Sequence, residues 1–291
     1  MNQSFKERYK LSQEEHNRIY KEIEKEVFKN SPIEETPIGV IVGAQPGSGK
    51  GSVISYSKTD MESQGKVVII ITTDEYKPYH PQAIEIARKH PTEYVEIVEQ
   101  DAGPWTGKVL EKAINDKHNF IFEGTLKNDR ILDRIKEMKE NGFKVVVRAL
   151  AVPRLESLIT IHERYENQMQ NIGWGRLISI KHHDQAYNAI PSVLDKIEKS
   201  GLSMVEIYIR GEEITKPQMV YSSEQKNEAY PTARIAIEEY RNKQRYKTLA
   251  TAEERVRRLK EQFINRGAKP SEMEQLEELA NYIIQDKIKV Q

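Results

Sequence analysis

Residues 41–52 read Ile-Val-Gly-Ala-Gln-Pro-Gly-Ser-Gly-Lys-Gly-Ser, a glycine-rich run that follows a buried-strand pattern and precedes a helical one. In that context the backbone N–H groups cradle phosphate oxygens, helped by the helix N-terminus, and the glycines let the chain approach the anion. We therefore expect a nucleotide-binding loop in which Lys50 reaches the β- and γ-phosphates. The expected phosphate-binding residues are Gly43, Ala44, Gln45, Pro46, Gly47, Ser48, Gly49, Lys50, Gly51 and Ser52.

The loop departs from the strict pattern Gly-x4-Gly-Lys-Ser/Thr at two positions. Ala44 takes the place of the first glycine, and Gly51 takes the hydroxyl position, with Ser52 one residue later. We assign Ser52 as the hydroxyl that approaches Mg²⁺. The base-reading motif of Ras-like GTPases and the Leu-Ser-Gly-Gly signature of ABC ATPases are absent from the sequence. Small-molecule kinases and other ATPases therefore remain.

Short apolar runs alternate with longer helical patterns around this loop. Strands that are apolar on both faces and are separated by helices indicate a parallel sheet that is covered on both sides. We predict an α/β, P-loop kinase-like fold with a mainly parallel five-stranded sheet flanked by helices. Strands are expected at 38–42, 67–73, 120–122, 144–152 and 205–209, and helices at 12–29, 52–63, 82–100, 106–116, 129–141, 154–170 and 184–199.

The strand pattern stops near residue 222. Ser12 with Glu15 has the spacing of a helix capping box, and so do Thr251 with Glu254 and Ser271 with Glu274. The chain is therefore divided into a kinase domain at 1–221 and a helical C-terminal extension at 222–291. Three arrangements of the extension are open from the sequence: it packs on the core, it binds a partner, or it is partly mobile.

The composition excludes several classes of protein. The 291 residues include 45 basic and 45 acidic side chains, so no overall field draws the chain to nucleic acid or to an acidic membrane. The absence of cysteine excludes disulfide scaffolds, thiolate metal sites and cysteine nucleophiles. No apolar run approaches the roughly 18 residues that span a membrane, and no secretory signal is evident. We expect a cytoplasmic protein with neither a nucleic-acid nor a membrane partner.

Polar side chains follow two of the predicted strands. Asp74 comes directly after the second strand, and Glu123 and Thr125 come after the third. A carboxylate at the C-terminal end of a parallel strand lies beside the phosphate loop, so Asp74 is placed to accept a proton from an attacking hydroxyl. Alternatively, Asp74 caps the next helix or holds Mg²⁺ through water. Lys127 is a candidate phosphate contact, with a solvated charge as the alternative.

Two arginines are placed to stabilise a transferring phosphoryl group. Arg164 lies in the helix after the fourth strand, and Arg176 follows a glycine-rich break. Cations around the equatorial oxygens offset the charge of the transition state, which suits a lid that carries both. For each arginine taken alone, a solvated surface charge is the alternative. His182, His183 and Asp184 are also candidate metal ligands, but no further ligand cluster accompanies them, so packing or capping is favoured.

Six motifs follow one another along the chain in a fixed order. They are residues 43–50, Asp74 with His80-Pro81, Glu123-Gly-Thr125, Ala151-Val-Pro153, Glu163-Arg-Tyr165, and Arg176 with His183-Asp184. Together these segments resemble the zeta toxin family of toxin–antitoxin systems, whose members phosphorylate UDP-N-acetylglucosamine. The resemblance covers roughly residues 12–215.

The resemblance implies ATP and Mg²⁺ as cofactors, a nucleotide-sugar substrate and a neutralising antitoxin over the ATP cleft. It also implies a phosphate-binding Lys50, a base at Asp74, a substrate contact at Thr125 and a phosphate clamp of Arg164 and Arg176.

Two departures leave the acceptor open. Lys127 stands where the family pattern has arginine, which loses the planar fork for bidentate phosphate contacts. An acidic sugar contact is missing near Gly107, with Asp101 and Glu99 as replacements that do not align cleanly. An NAD kinase and a nucleoside monophosphate kinase are therefore alternatives. A third alternative is a nucleotide-dependent binding module whose working part is 222–291.

Overall fold

A computed structural model describes residues 7–90, 93–211, 216–225 and 228–288. Across these residues a single sheet has helices on both faces. Its strands are β1 (Ile38–Gly43), β2 (Ile69–Ile71), β3 (Phe120–Gly124), β4 (Lys144–Leu150), β5 (Met204–Ile209) and β6 (Gln218–Ser222). The helices are α1 (Gln13–Phe28), α2 (Lys50–Ser63), α3 (Thr73–Tyr76), α4 (Ala83–Lys89), α5 (Tyr94–Asn115), α6 (Arg130–Glu140), α7 (Arg154–Ile172), α8 (Ile180–Ser200), α9 (Ala233–Arg266) and α10 (Pro270–Ile288).

The strands are ordered β2-β3-β1-β4-β5-β6 in the sheet. The first five are parallel, which confirms the predicted mainly parallel sheet, and β6 is antiparallel to β5. The predicted number of strands is one too low. The sequence pattern does not reveal β6, because this partly exposed edge strand is not apolar on both faces. The central position of β1 places the end of this strand between those of β3 and β4. The loops that follow β1, β2 and β3 therefore meet at one edge of the sheet.

Both faces of β1 are buried, which explains its continuous apolar sequence. Val40 and Val42 pack with Val53 of α2 on one face. Ile41 belongs to the apolar core of the opposite face, together with Trp105 of α5. Since neither face meets solvent, the strand shows no alternation of polar and apolar residues.

The boundary predicted between the helices at 82–100 and 106–116 is wrong. The chain instead forms α4 and a longer α5, and α5 continues through Gly103 and Pro104. The flanking side chains, including that of Trp105, are fully buried. Their packing outweighs the low helix propensity of glycine and proline.

One of the three predicted helix caps is confirmed. The Ser12 hydroxyl accepts the N–H of Glu15 at 3.2 Å at the start of α1. The other two are wrong: Thr251 lies in the middle of α9, which begins after its cap at Thr232, and Ser271 lies within the first turn of α10. The Ser/Thr-x-x-Glu spacing of a capping box does not interrupt a helix when it occurs within a run of good helix formers.

The C-terminal helices pack on the rest of the protein. Phe263 of α9 and Leu279 of α10 share a buried apolar cluster with Leu158 of α7. The first turns of α9 extend the main core through Ala236 and Ile237. Packing on the core is thus the one of the three expected arrangements that the structure shows, while the division at residue 222 stays a prediction. Among the described residues, no helix combines the length and apolar character that crossing a membrane requires.

Candidate active site

The phosphate loop joins β1 to α2 with two glycines in the left-handed region. Gly47 has φ of +76°, and Gly49, the N-cap of α2, has φ of +91°. A β-carbon at position 47 would lie 2.1 Å from the carbonyl oxygen of Ser157, so only glycine fits there. The helix begins at Lys50, which directs the positive end of its dipole towards the loop. The predicted strand–loop–helix arrangement is therefore present.

The Lys50 side chain lies at the floor of a cleft. Its Nζ donates to the carbonyl oxygen of Ala44 at 3.2 Å and lies 3.5 Å from Oε1 of Glu123. Burial lowers the pKa of the Lys50 ammonium, and the charge of Glu123 opposes this lowering. An anion in the cleft would favour the charged lysine in the same way.

The cleft has a volume of about 570 Å³ and opens at the C-terminal edge of the sheet. It gathers side chains from distant parts of the sequence, among them Lys50 and Arg176. Every candidate catalytic and substrate-binding side chain predicted from the sequence lies on its wall. These residues are Lys50, Asp74, Glu123, Thr125, Lys127, Arg164 and Arg176. Their individual roles stay predictions.

Asp74 lies in the first turn of the short helix α3, whose N-cap is Thr72. The capping alternative for Asp74 is therefore not what the structure shows. Its carboxylate contacts the Lys77 ammonium in the same cleft. Burial acts to raise the pKa of Asp74, but Lys77, Arg176 and Arg164 outweigh it and hold the pKa below its usual range. Lys77 was missed in the sequence, although its three-residue spacing from Asp74 on a helix could have indicated it.

The two arginines approach the cleft from different elements. Arg164 lies within α7, whereas Arg176 follows the helix end at Gly173. Burial lowers the pKa of Arg164, and the nearby Arg176 lowers it further. An arginine guanidinium is effectively always protonated at neutral pH, so Arg164 stays charged despite this lowering. Arg176 also lies 3.9 Å from Oε2 of Glu99, another cleft residue.

The hydroxyl assigned to Mg²⁺ is engaged within the loop. Ser52 Oγ donates to the carbonyl oxygen of Gly49 at 2.9 Å. Gly51 has open space where a β-carbon would stand, so the shifted Lys-Gly-Ser order places no steric demand on this position. The assignment of Ser52 to Mg²⁺ stays a prediction.

Of the two acidic replacements near Gly107, only Glu99 reaches the cleft. Asp101 is buried 3.7 Å from His80 and accepts the N–H of Leu11 at 3.4 Å. It therefore holds the N-terminal segment instead of facing a substrate. Glu99 carries the only carboxylate of this pair that an acceptor entering the cleft would meet.

His183 is a buried packing residue. Its Nε2 lies 2.7 Å from Ser157 Oγ, and its Nδ1 lies 3.0 Å from Asp184 Oδ1. Burial lowers the pKa of His183 to about 4, so the ring is neutral at pH 7. Ser157 in turn accepts from the Gln45 amide at 3.3 Å, so the chain of hydrogen bonds supports the phosphate loop. No cluster of three histidine or acidic side chains suited to a metal occurs within the described part of the chain.

The fold and the cleft define a phosphate-loop α/β protein with a kinase-like architecture. The zeta toxin family model matches residues 7–235. The chain therefore belongs to the zeta toxin family, which confirms the resemblance noted in the sequence.

Known relatives agree with this assignment. Toxin zeta of Enterococcus hirae is 27% identical over 197 residues, which make up 67% of this chain and 68% of that protein. Toxin PezT of Streptococcus pneumoniae serotype 4 is 27% identical over 177 residues, 60% of this chain and 69% of that protein. A structure from the PezAT chromosomal toxin–antitoxin system of Streptococcus pneumoniae has a TM-score of 0.70 and 21% identity. It covers 86% of this chain and 98% of its own, and it supports the shared fold.

Proposed function

We propose that the protein transfers the γ-phosphate of ATP to a hydroxyl of a nucleotide sugar, with UDP-N-acetylglucosamine as the first candidate. The observation that carries this proposal is the position of Asp74. Its carboxylate lies in one cleft with the Lys50 ammonium and with Arg164 and Arg176. A base beside a phosphate loop and a group of cations is the arrangement that phosphoryl transfer to a hydroxyl requires.

Each group has a chemical task in this reaction. Lys50 binds the β- and γ-phosphates, and Asp74 takes the proton of the acceptor hydroxyl as its oxygen bonds to the γ-phosphorus. The bond from that phosphorus to the bridging oxygen breaks, and ADP leaves. Arg164 and Arg176 offset the charge on the transferring group, and their rigid guanidiniums need no reorganisation.

The cleft also suits Mg²⁺. This ion is usually bound through one or two carboxylates, waters and the substrate phosphates, so a complete protein cage is not required. Glu123 supplies a hard oxygen donor in the cleft, and Ser52 supplies a hydroxyl at the start of α2. When bound, the ion would neutralise charge on the β- and γ-phosphate oxygens.

The acceptor has room in an adjoining groove of about 370 Å³. The groove shares Thr125 and Lys127 with the main cleft and extends past Gly103 and Gly107. Neither glycine has an atom within 4 Å of the place where a β-carbon would stand. The open floor favours a bulky acceptor that extends from the main cleft into this groove. Glu99, on the wall of the main cleft, is the acidic group that we assign to its sugar hydroxyls.

Mass spectrometry of acceptors incubated with the purified protein, ATP and Mg²⁺ tests the proposal. The panel contains UDP-N-acetylglucosamine, UDP-glucose, NAD, AMP and UMP, with Asp74→Asn as the catalytic control and Glu75→Gln as the matched one. Phosphate on UDP-N-acetylglucosamine, formed by wild type and Glu75→Gln only, is the expected result. Phosphate added to NAD or to a nucleoside monophosphate would replace UDP-N-acetylglucosamine as the proposed acceptor. If the protein binds ATP but phosphorylates no acceptor of the panel, the result would favour the alternative of a nucleotide-dependent binding module.

We also propose a protein antitoxin as the partner, because a solved relative comes from a toxin–antitoxin system. Expression of the chain alone in a bacterial host should arrest growth, and expression of Asp74→Asn should not. Normal growth with an active wild-type enzyme would instead indicate a housekeeping kinase.

A further inference from the structure

The C-terminal helix α9 is tied to α7 by a forked ion pair. Nε and Nη2 of Arg255 each donate to one carboxylate oxygen of Glu163 at 2.7 Å. Nη1 of the same guanidinium donates to Oε2 of Glu156 at 2.7 Å. Arg255 therefore holds two glutamates of the helix that carries Arg164, and one of them is the immediate neighbour of that arginine.

Glu156 connects this pair to the phosphate loop. Its Oε1 accepts from Nη1 of Arg210 at 2.8 Å. Arg210 donates through Nε to the carbonyl oxygen of Ser48 at 3.0 Å and through Nη2 to that of Gly47 at 2.8 Å. Since C=O and N–H of a trans peptide point in opposite directions, this contact turns the N–H of Gly49 away from Arg210. The guanidinium thus fixes peptide orientations in the loop whose N–H groups bind phosphate.

A second link from α9 reaches the same loop. Nη2 of the buried Arg241 donates to Oε1 of Gln45 at 3.1 Å, across 196 positions of sequence. The Gln45 amide donates to the carbonyl oxygen of Val152 at 2.9 Å, so both ends of this side chain are held. The Arg241 guanidinium also lies 3.9 Å from the ring centroid of Tyr187, which fixes its plane.

We propose that α9 is a positioning element of the nucleotide site. Arg255 acts through Glu156 and Arg210, and Arg241 acts through Gln45. Together they hold the phosphate loop and the helix of Arg164 in one arrangement. Arg255 lies outside the residues that the family model matches, 7–235, so the site of this chain depends on a segment beyond that match. The inference rests on the proposed ATP-dependent function and adds positioning residues to it.

Titration of full-length variants with a fluorescent ATP analogue and Mg²⁺ tests the inference. Arg255→Met removes the fork, and Arg255→Lys keeps the charge without it. Arg257→Met is the matched control, since Arg257 is exposed on the same helix and pairs only with Glu254 and Glu261 of that helix among the contacts described. We expect Arg255→Met to weaken binding by about 3- to 30-fold, Arg255→Lys to weaken it less, and Arg257→Met to leave it unchanged.

A double-mutant cycle separates positioning from general stability. If Arg210 and Arg255 act through the one carboxylate of Glu156, Arg210→Met combined with Arg255→Met should weaken binding less than the product of the single effects. Arg255→Lys carries the test if Arg255→Met does not fold. Unchanged affinity in the Arg255 variants beside a binding wild type would overturn this inference alone. A wild type that does not bind the analogue would overturn the proposed function, and this inference with it.

Discussion

The Nζ atom of Lys50 lies 3.5 Å from Oε1 of Glu123, so the lysine that we propose to bind phosphate shares the cleft with a carboxylate. Both side chains are largely shielded from solvent, with exposed fractions of 14% and 32%. At this separation the carboxylate offsets part of the charge that the lysine offers to an incoming phosphate. It also repels the phosphate directly.

Replacement of Glu123 tests this relationship. Without divalent metal, Glu123→Gln should bind ATP more tightly, by about 2- to 10-fold, because one anion is removed beside the phosphate site. Calorimetric titration of ATP in the presence of a chelator measures this change. Glu137→Gln, a change on the outer helix α6, is the control. Weaker ATP binding by Glu123→Gln would contradict the prediction and give Glu123 a supporting role in nucleotide binding.

The two arginines should act on the transition state more than on bound ATP. Arg164→Lys and Arg176→Lys should each lower kcat by about 100- to 1,000-fold, with the KM for ATP changed by less than about threefold. Steady-state kinetics with the identified acceptor measure both constants. Arg18→Lys, an exposed change on α1, should have no effect. A rise in KM with unchanged kcat would assign the arginines to ground-state binding instead.

The pH profile should depend on Lys77. Because the pKa of Asp74 is lowered, the proposed base stays ionised further into acid than an ordinary aspartate does. The enzyme should therefore lose activity only as the pH falls through that lowered pKa. Lys77→Met removes a positive charge that stabilises the carboxylate, which raises the pKa of Asp74. The acid limb of kcat/KM should therefore move to higher pH. The exposed Lys89→Met should leave the limb in place, and an unmoved limb in Lys77→Met would argue against Asp74 as the titrating base.

Two glycines of the phosphate loop should respond in opposite ways. Gly47→Ala places a β-carbon 2.1 Å from a backbone oxygen and demands a positive φ, so it should abolish ATP binding and destabilise the protein. Gly51→Ala meets nothing within 4 Å and lies in α2, where alanine is favoured by up to about 1 kcal/mol. Thermal unfolding and ATP titration measure the pair. Equal behaviour of the two variants would contradict the loop geometry.

The C-terminal helices should unfold together with the sheet. Phe263→Ala removes a fully buried ring between α9, α10 and α7 and should lower the free energy of unfolding by about 3–5 kcal/mol. The neighbouring Ile264, which is 59% exposed, should tolerate alanine within about 0.5 kcal/mol. Urea unfolding followed by circular dichroism distinguishes them. A separate early transition in Phe263→Ala would show that the helices fold as an independent unit.

Local patterns in the sequence were sufficient for the centre of the fold. The apolar run before the loop and the glycines at 47 and 49 are neighbours along the chain, and each polar residue after a strand lies next to the strand that it follows. Their conformations follow from backbone sterics and burial within a few residues. The gathering of Asp74, Glu123 and Thr125 at one edge could also be predicted, because parallel strands end on the same side of a sheet.

Only the tertiary structure decided which side chains act on these residues from a distance. Arg255 reaches Glu163 across 92 positions, and Arg241 reaches Gln45 across 196. The choice of Glu99 over Asp101 depends on the rotation of α5, which aims one carboxylate into the cleft and buries the other. A single sequence carries no record of such pairs, because a charged residue on a helix looks the same whether its partner is solvent or a loop packed against it. The phosphate loop and its fold class are therefore local properties of the chain, whereas the network that holds the loop exists only once the C-terminal helices have packed.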